Sequence, residues 1–452
     1  CKKLTGTQYA LSTDSDIYLY DVASGRTSNL TEGMPGYDKY PVFSPDDSMI
    51  AFTSMERPGN ESDKDRLFVM SLADGSKRYL TEGFDYNAGN VRWADDSTLL
   101  FLSPIRATIQ LCSVSLSGGP VRVITSGAHD LNAFSAAGGR VVAEMTTLGS
   151  PTELFDVNPS DGAMTRITNT NAEIYERIRM GKVEERWVET TDGKRMLVWV
   201  VLPPDFDPSK KYPALLYCQG GPQSVVSQFW SYRWNLQLMA AQGYVVVAPN
   251  RRGLPSFGQE WLDQISGDYS GQNIRDYLSA IDDVSAEPWV DRDRLGCVGA
   301  SYGGYSVFFL AGNHQKRFKA FIAHCGMFNF ESMYGATEEL WFPNNDLGGP
   351  YWSDSPVARR SYANSPHKFV KNWDTPILIF SGQRDFRIPY TESLQAFTAA
   401  RLMGVPSRLV SFEDEAHQVF KPQNSLVWNR EFFNWLDRYV KNAETPAEQT
   451  GR

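Results

Sequence analysis

The first 170 residues repeat, and that repeat limits the fold more than any other feature of the chain. Four segments share a hydrophobic strand, a Gly-containing turn, a second strand and a closing Leu-Thr or Ile-Thr. They read IYLYDVASGRTSNLTEG from Ile17, LFVMSLADGSKRYLTEG from Leu67, LCSVSLSGGPVRVITSG from Leu111 and LFDVNPSDGAMTRITNT from Leu154. The closing threonines Thr31, Thr81, Thr125 and Thr168 are 50, 44 and 43 residues apart. A second strand pair falls between copies, as in YPVFSPDDSMIAFTS from Tyr40, VRWADDSTLLFLS from Val91 and a weaker FSAAGGRVVAEM from Phe134, with Asp46-Asp47 and Asp95-Asp96 at the tight turns. Four short strands per repeat of about 40 to 50 residues is the pattern of β-propeller blades. A β-sandwich would not repeat so regularly. Closed propellers carry about four to eight blades, and three to four are readable here. An open fan would expose sheet edges, so the expectation is a partial propeller over residues 1–170 whose N-terminal blades are missing.

After a linker around 169–182 the period changes. Strands MLVWVVL (Met196), PALLYC (Pro213), YVVVA (Tyr244), LGCVGA (Leu295), AFIAH (Ala320), PILIFS (Pro376) and RLVSF (Arg408) alternate with helical stretches. Short, continuously apolar strands between helices predict a mainly parallel sheet covered on both faces. This second domain is expected over residues 183–442, with 443–452 (AETPAEQTGR) as a disordered tail. At 452 residues two domains are expected in any case.

Gly299-Ala300-Ser301-Tyr302-Gly303 lies between a strand and a helix, the context in which G-x-S-x-G holds a serine hydroxyl clear of the backbone. A serine needs a base to become a nucleophile, and in an α/β-hydrolase the acid and then the histidine follow in later strand–loop junctions. Strand PILIFS leads to Asp385, and strand RLVSF leads to His417. Asp414 competes with Asp385 for the acid role but lies close in sequence to His417. The remaining histidines have simpler readings: His129 in the repeats, His314 at a helix end, His324 at the end of a buried strand and His367 in a loop. For the oxyanion, one donor is the amide of Tyr302; the other is expected from the loop Gln219-Gly220-Gly221-Pro222, through Gly221. The alternative for that loop is an ordinary Gly-Pro turn.

Several classes are disfavoured. A net charge of −9 argues against a nucleic-acid partner, whose affinity would come mostly from Lys and Arg. No apolar run approaches the roughly 18 residues of a membrane span. Five scattered cysteines provide neither a disulfide framework nor a zinc spacing, and no HExxH is present, so neither a metal nor a cofactor is expected. Cys1 raises the alternative of a lipid-modified first residue.

Propeller-type repeats followed by this hydrolase resemble the prolyl oligopeptidase family of serine peptidases. The motifs that carry the likeness are GASYGGYS, YPALLYCQGGPQ, NRRGLPSFGQEW with GDYSGQNIRDYLSAID, FSGQRDFRIP and DEAHQVF, and it covers nearly the whole chain. The nearest branch is the one holding acylaminoacyl-peptidases and bacterial dipeptidyl-peptidase 5. The resemblance implies Ser301, Asp385 and His417 as triad and Tyr302 as an oxyanion donor, with a propeller restricting entry to short peptides. That branch usually has His-Gly-Gly-Pro where this chain has Gln219-Gly220-Gly221-Pro222, and Arg252-Gly253 continues as Leu-Pro rather than the commoner Ser-x-Gly. Phe330, Tyr334, Trp341 and Phe342 fall where relatives build the pocket for the residue before the cut bond; the alternative is that they are core aromatics. Glu338 and Glu339 are candidates for binding a free α-ammonium, against a solvated helix face. The expectation is a dipeptidyl-peptidase acting on short peptides and preferring small or apolar residues before the cut bond. An acylaminoacyl-peptidase, an oligopeptide endopeptidase or an esterase remain as alternatives, as does an interaction module with an inactive hydrolase remnant. Kinship also implies a periplasmic location and leaves a homodimer open.

Overall fold

The computed structural model describes residues 6–60 and 62–442. Cys1 and the expected tail 443–452 lie outside the described residues. The chain forms two units. The first takes the described residues up to Arg177 together with Ser227–Trp230 and Leu254–Asp263; the second takes the rest.

In the first unit a hairpin (Tyr18–Tyr20 with Thr27–Asn29) precedes three four-stranded antiparallel meanders, Asp38 to Tyr79, Gly89 to Val123 and Asp130 to Arg166. The recurring threonine has a local physical cause. Each one accepts, through Oγ1, a hydrogen bond from the amide of the residue that opens its copy: Thr31 from Ile17 (3.0 Å), Thr81 from Leu67 (3.1 Å), Thr125 from Leu111 (2.9 Å) and Thr168 from Leu154 (2.9 Å). The residue before each threonine donates its amide to the same opening residue, as Leu80 does to Leu67 at 2.9 Å. One side chain thus closes the outer strand pair of every copy. At the inner turns the aspartates accept amides two residues on, Asp46 from Ser48 (3.1 Å) and Asp95 from Ser97 (2.7 Å).

Successive meanders pack face to face. In strand Thr98–Ile105, Leu99 and Phe101 join a core with Leu67, Val69 and Trp93, while Leu100 and Leu102 join another with Leu111, Leu131 and Val141. Side chains alternate across a strand, so a strand buried on both faces must be apolar at both parities, as LLFL is. This is the blade arrangement expected from the repeat, with two strands in the first copy.

The second unit holds an eight-stranded sheet: β1 (Val183–Glu189), β2 (Arg195–Val201), β3 (Tyr212–Cys218), β4 (Val245–Pro249), β5 (Val290–Ala300), β6 (Ala320–His324), β7 (Ile377–Gly382) and β8 (Ser407–Phe412), in the order β1-β2-β4-β3-β5-β6-β7-β8. Pairs β1-β2 and β2-β4 are antiparallel, and the others are parallel. The seven expected strands are all present. The additional β1 is an edge strand, VEERWVE, in which only Val188 is fully buried, so it carries no apolar signal.

The domain boundary lies inside the expected linker 169–182. It falls between Arg177 and Ile178, and two stretches expected inside the hydrolase belong to the first unit. There the buried Asp130 carboxylate accepts the Ser227 hydroxyl (2.5 Å) and the Gln228 amide (3.1 Å), and Ser256 Oγ accepts the Ala107 amide (2.7 Å). Among the described residues no helix is long and apolar enough to cross a membrane.

Candidate active site

Strand β5 ends at Ala300 and a helix runs over Tyr302–Ala311, leaving Ser301 alone in the turn with φ 60 and ψ −124. A non-glycine residue at such a φ is strained. The flanking glycines make the turn sterically feasible. A Cβ at Gly299 would stand 2.6 Å from the Gly303 carbonyl oxygen, and one at Gly303 would stand 2.0 Å from that of Cys218. The Ser301 amide donates to the His324 carbonyl at 2.9 Å, which ties the turn to the end of β6. The spacing of the motif is therefore a close-packing requirement, and its product is a hydroxyl presented at the C-terminal edge of the sheet.

Two later loops bring their groups to that hydroxyl. His417 Nε2 lies 2.9 Å from Ser301 Oγ, and His417 Nδ1 lies 2.7 Å from Asp385 Oδ2. Asp385 is buried, and its other oxygen accepts the amides of Arg387 and Ile388, each at 3.0 Å, which fixes the carboxylate's orientation. The His417 loop is held by the buried Glu415, which accepts the amides of Phe420 (3.1 Å) and Lys421 (2.9 Å) and the Asn424 side chain (2.8 Å). Asp414 pairs with Lys421 and Asn424, leaving Asp385 as the acid beside the ring. Burial works against a charged His417, but Cys325 and Asp385 outweigh it, so the imidazole is shifted above its ordinary value. A hydroxyl, an imidazole and a carboxylate so aligned can transfer a proton from the hydroxyl and stabilise the imidazolium that results.

Tyr302 is the first helical residue, so its amide has no intrahelical acceptor. Its side chain is buried, with the hydroxyl donating to Asn273 Oδ1 at 2.7 Å. The Gln219–Pro222 loop passes close to the nucleophile: a Cβ on Gly220 would meet Ala300 O at 3.0 Å and Ser301 Cβ at 3.5 Å. Gly221 has φ 114, a conformation that L side chains rarely adopt. Gln219, the departure from the usual histidine, is held within the loop by Tyr217 Oη (2.7 Å) and Ser224 Oγ (3.2 Å).

Beneath this loop lies a group that the sequence reading left without a role. Arg251 is fully buried and donates to the carbonyls of Pro222 (3.1 Å) and Gln219 (3.4 Å), to the carbonyl of Arg252 (2.8 Å) and to Tyr277 Oη (3.1 Å). Its guanidinium carbon stands 4.6 Å from the centroid of the Tyr302 ring. One cation therefore supports both segments that carry the expected oxyanion donors. Its signal was present in NRRG, but nothing in the sequence marks the arginines of that run as buried, as both are.

The aromatic residues fall into two settings. Phe330 is 1% exposed and packs against Tyr305 (5.3 Å between centroids) and Tyr269 (6.4 Å). Tyr334 packs on Trp352 (5.6 Å) and donates to Asn344 (2.9 Å), while Trp341 and Phe342 are only half-buried. Glu339 pairs with Arg387 at 2.8 Å, and the Glu338 amide donates to the Phe386 carbonyl at 2.9 Å, so both sit against the Asp385 loop. Burial raises the Glu339 carboxyl above its ordinary value. His129, His314 and His324 are buried and held neutral, with values lowered to about 4, 4 and 3 by desolvation. His367 shares a hydrogen bond with Ser365 Oγ at 2.9 Å.

Comparisons with known proteins agree with this geometry. The sequence profile of the prolyl oligopeptidase family matches residues 230–443. Dipeptidyl-peptidase 5 of Porphyromonas gingivalis is 55% identical over 442 residues, which is 97% of this chain and 65% of that protein. The protein of the same name from Porphyromonas endodontalis is 50% identical, over 97% of this chain and 64% of its own length. The chain thus spans slightly less than two thirds of these relatives. Among solved structures, a Pyrococcus horikoshii acylaminoacyl peptidase superimposes with a TM-score of 0.83 at 23% identity, over 95% of this chain and 67% of that one. That likeness reflects the fold: an α/β-hydrolase preceded by propeller-type blades. With the nucleophile elbow in place and relatives matching along almost its whole length, the chain belongs to the prolyl oligopeptidase family.

Proposed function

We propose that the protein is a serine exopeptidase that releases dipeptides from the N-termini of oligopeptides through an acyl-enzyme on Ser301. The observation that carries this reading is the continuous Asp385–His417–Ser301 chain, at 2.7 and 2.9 Å, mounted on the elbow. In this mechanism Ser301 Oγ attacks the scissile carbonyl while His417 Nε2 takes its proton, and Asp385 keeps the ring in the correct tautomer. The amides of Tyr302 and Gly221 receive the developing oxyanion. His417 then protonates the leaving amine, and water, activated by the same imidazole, releases the dipeptide.

The dipeptidyl mode draws support from the dipeptidyl-peptidase 5 relatives. A free α-ammonium calls for a carboxylate near the triad, and the proposal assigns this to Glu339 with Glu338. Tyr334 and Trp341 would receive a small or apolar residue before the cut bond, whereas Phe330, 1% exposed, packs in the core beside Tyr269 and Tyr305. A periplasmic location belongs to the same proposal, rests on kinship alone, and is tested by cell fractionation.

The deciding experiment compares dipeptide–coumarin substrates with free and acetylated N-termini, using wild type and Ser301→Ala. Cleavage of the free-amine series, abolished by the substitution, is the expected result. Cleavage of the acetylated series alone would overturn the dipeptidyl mode in favour of an acylaminoacyl-peptidase or endopeptidase. A fluorophosphonate that fails to label Ser301 would remove the hydrolase reading altogether.

A further inference from the structure

Beside the triad stands a fourth group that the proposed mechanism does not use. Cys325 follows β6 at φ 41, and its Sγ lies 3.9 Å from His417 Nε2, the nitrogen that also faces Ser301 Oγ at 2.9 Å. The sulfur's position is fixed by backbone packing. The Cys325 amide donates to the Phe380 carbonyl at 2.9 Å, and the next residue, Gly326, abuts Gly304 of the Ser301 helix so closely that a Cβ on Gly326 would stand 2.4 Å from the Gly304 carbonyl carbon. Cys325, His417 and Asp385 offer ligand atoms within 4.8 Å of one another, the one such group among the described residues.

We infer that Cys325 Sγ and His417 Nε2 form an inhibitory site for soft divalent cations, Zn2+ and Cd2+ above all, with Ser301 Oγ available as a third ligand. The geometry is close to what such an ion requires. Zn–S of about 2.3 Å and Zn–N of about 2.0 Å at a tetrahedral angle separate sulfur and nitrogen by about 3.5 Å, against 3.9 Å here. Asp385 contributes without binding the ion. By accepting the Nδ1 proton it leaves the lone pair on Nε2, as the carboxylate of a carboxylate–histidine–zinc arrangement does. The feature that makes His417 a base therefore makes it a metal ligand, and Cys325 supplies the second donor.

The ion needs a thiolate and a neutral imidazole, so binding releases to solvent whatever protons these two ligands carry, and the site tightens as pH rises. It also occupies the Nε2 lone pair and covers Ser301, so inhibition is competitive with substrate. Mg2+ and Ca2+, which take oxygen ligands, do not share the site. The other described thiols lack this combination: Cys218 and Cys297 face each other at 3.7 Å inside the sheet, and Cys112 is buried in the first unit.

The inhibition readout rests on the peptidase reading above; the binding readout does not. The test titrates the full chain with Cd2+, following thiolate-to-cadmium ultraviolet absorption, and in parallel measures Zn2+ inhibition of peptide hydrolysis relative to each variant's own uninhibited rate. Ser301→Ala should show the absorption band, and Ser301→Ala/Cys325→Ala should lack it. Cys325→Ala and Cys325→Ser should each weaken Zn2+ inhibition by at least about tenfold, the lower bound for losing even an outer partner of a metal site. EDTA should restore activity and Mg2+ should not inhibit. Equal Zn2+ sensitivity in wild type and Cys325→Ala, or a band that survives loss of Cys325, would overturn the proposal. A protein that cleaves no peptide yet shows the Cys325-dependent band would overturn the peptidase reading and leave the metal site standing.

Discussion

Replacing Arg251 by methionine tests whether a buried cation builds the oxyanion hole from below. Methionine keeps an unbranched apolar stem and removes only the guanidinium. The Pro222 and Gln219 carbonyls then lose donors now at 3.1 and 3.4 Å, and the Tyr302 ring loses the cation 4.6 Å from its centroid. A hydrogen bond to a charged group contributes about 1.5–3 kcal/mol, so the loop sheds enough to leave its present position. If the Gly221 amide moves with it, the transition state loses one donor, a cost of about 2.7–4 kcal/mol or roughly 100- to 1,000-fold in kcat. KM should change little, because the donor serves the oxyanion and not the ground-state carbonyl. Steady-state kinetics on the best coumarin substrate, paired with a thermal melt, reads both quantities. Arg251→Lys keeps the charge but cannot span two carbonyls, so it should fall between wild type and the methionine variant. A folded Arg251→Met with kcat within twofold of wild type, or a loss confined to KM, refutes the reasoning.

Asp385→Asn should preserve the fold but lower kcat by about four orders of magnitude, since the amide would favour the wrong imidazole tautomer; activity within tenfold of wild type would remove Asp385 from the mechanism. Gly303→Ala should abolish activity and lower the melting temperature, because its Cβ would stand 2.0 Å from the Cys218 carbonyl oxygen, against backbone that cannot rotate away. The acid limb of kcat/KM should lie above pH 6.5, because the base must be neutral and His417 is shifted upward; Cys325→Ala should move that limb to lower pH, and an unmoved limb would discount the sulfur. The same upward shift gives a stability contribution that is present below pH 6.5 and lost as pH rises through the folded-state value, which melts across that range would register.

How much of this was legible in the sequence depended on the range of the forces involved. The elbow could be read because its constraint is local: Gly299 and Gly303 flank Ser301, and strand and helix adjoin them directly. The blades could be read because each threonine closes its own copy over 14 residues, and the contact recurs four times. Strand order placed Asp385 and His417 at the ends of β7 and β8, beside the hydroxyl. What failed to register was non-local or electrostatic. Edge strand β1 shows water most of its side chains and has no apolar pattern. Ser227–Trp230 and Leu254–Asp263 lie within hydrolase sequence yet associate with the first unit through Asp130 and Ala107, more than 90 residues away. Arg251 and Glu415 are buried, and nothing in the residues beside them announces the backbone groups they collect.

Those late-recognised charges follow one rule, which bears on how a site made of loops stays rigid. Loops at the C-terminal edge of a parallel sheet leave amides and carbonyls without ladder partners. After β3, β6, β7 and β8 a buried charged side chain collects some of them. Asp385 takes the amides of Arg387 and Ile388, Glu415 those of Phe420 and Lys421, and Glu392 those of Phe328 and Asn329, while Arg251 takes the carbonyls of Gln219 and Pro222. A carboxylate can accept several donors at once and a guanidinium can donate several, so one side chain fixes two backbone groups that neutral residues would need separate partners to satisfy. Burying a charge is costly unless it is saturated in this way, so each ion has little freedom to release its loop. The triad's preorganisation thus comes from a ring of buried ions around it as much as from the elbow. Neutral substitutions in that ring should affect kcat before they affect the fold.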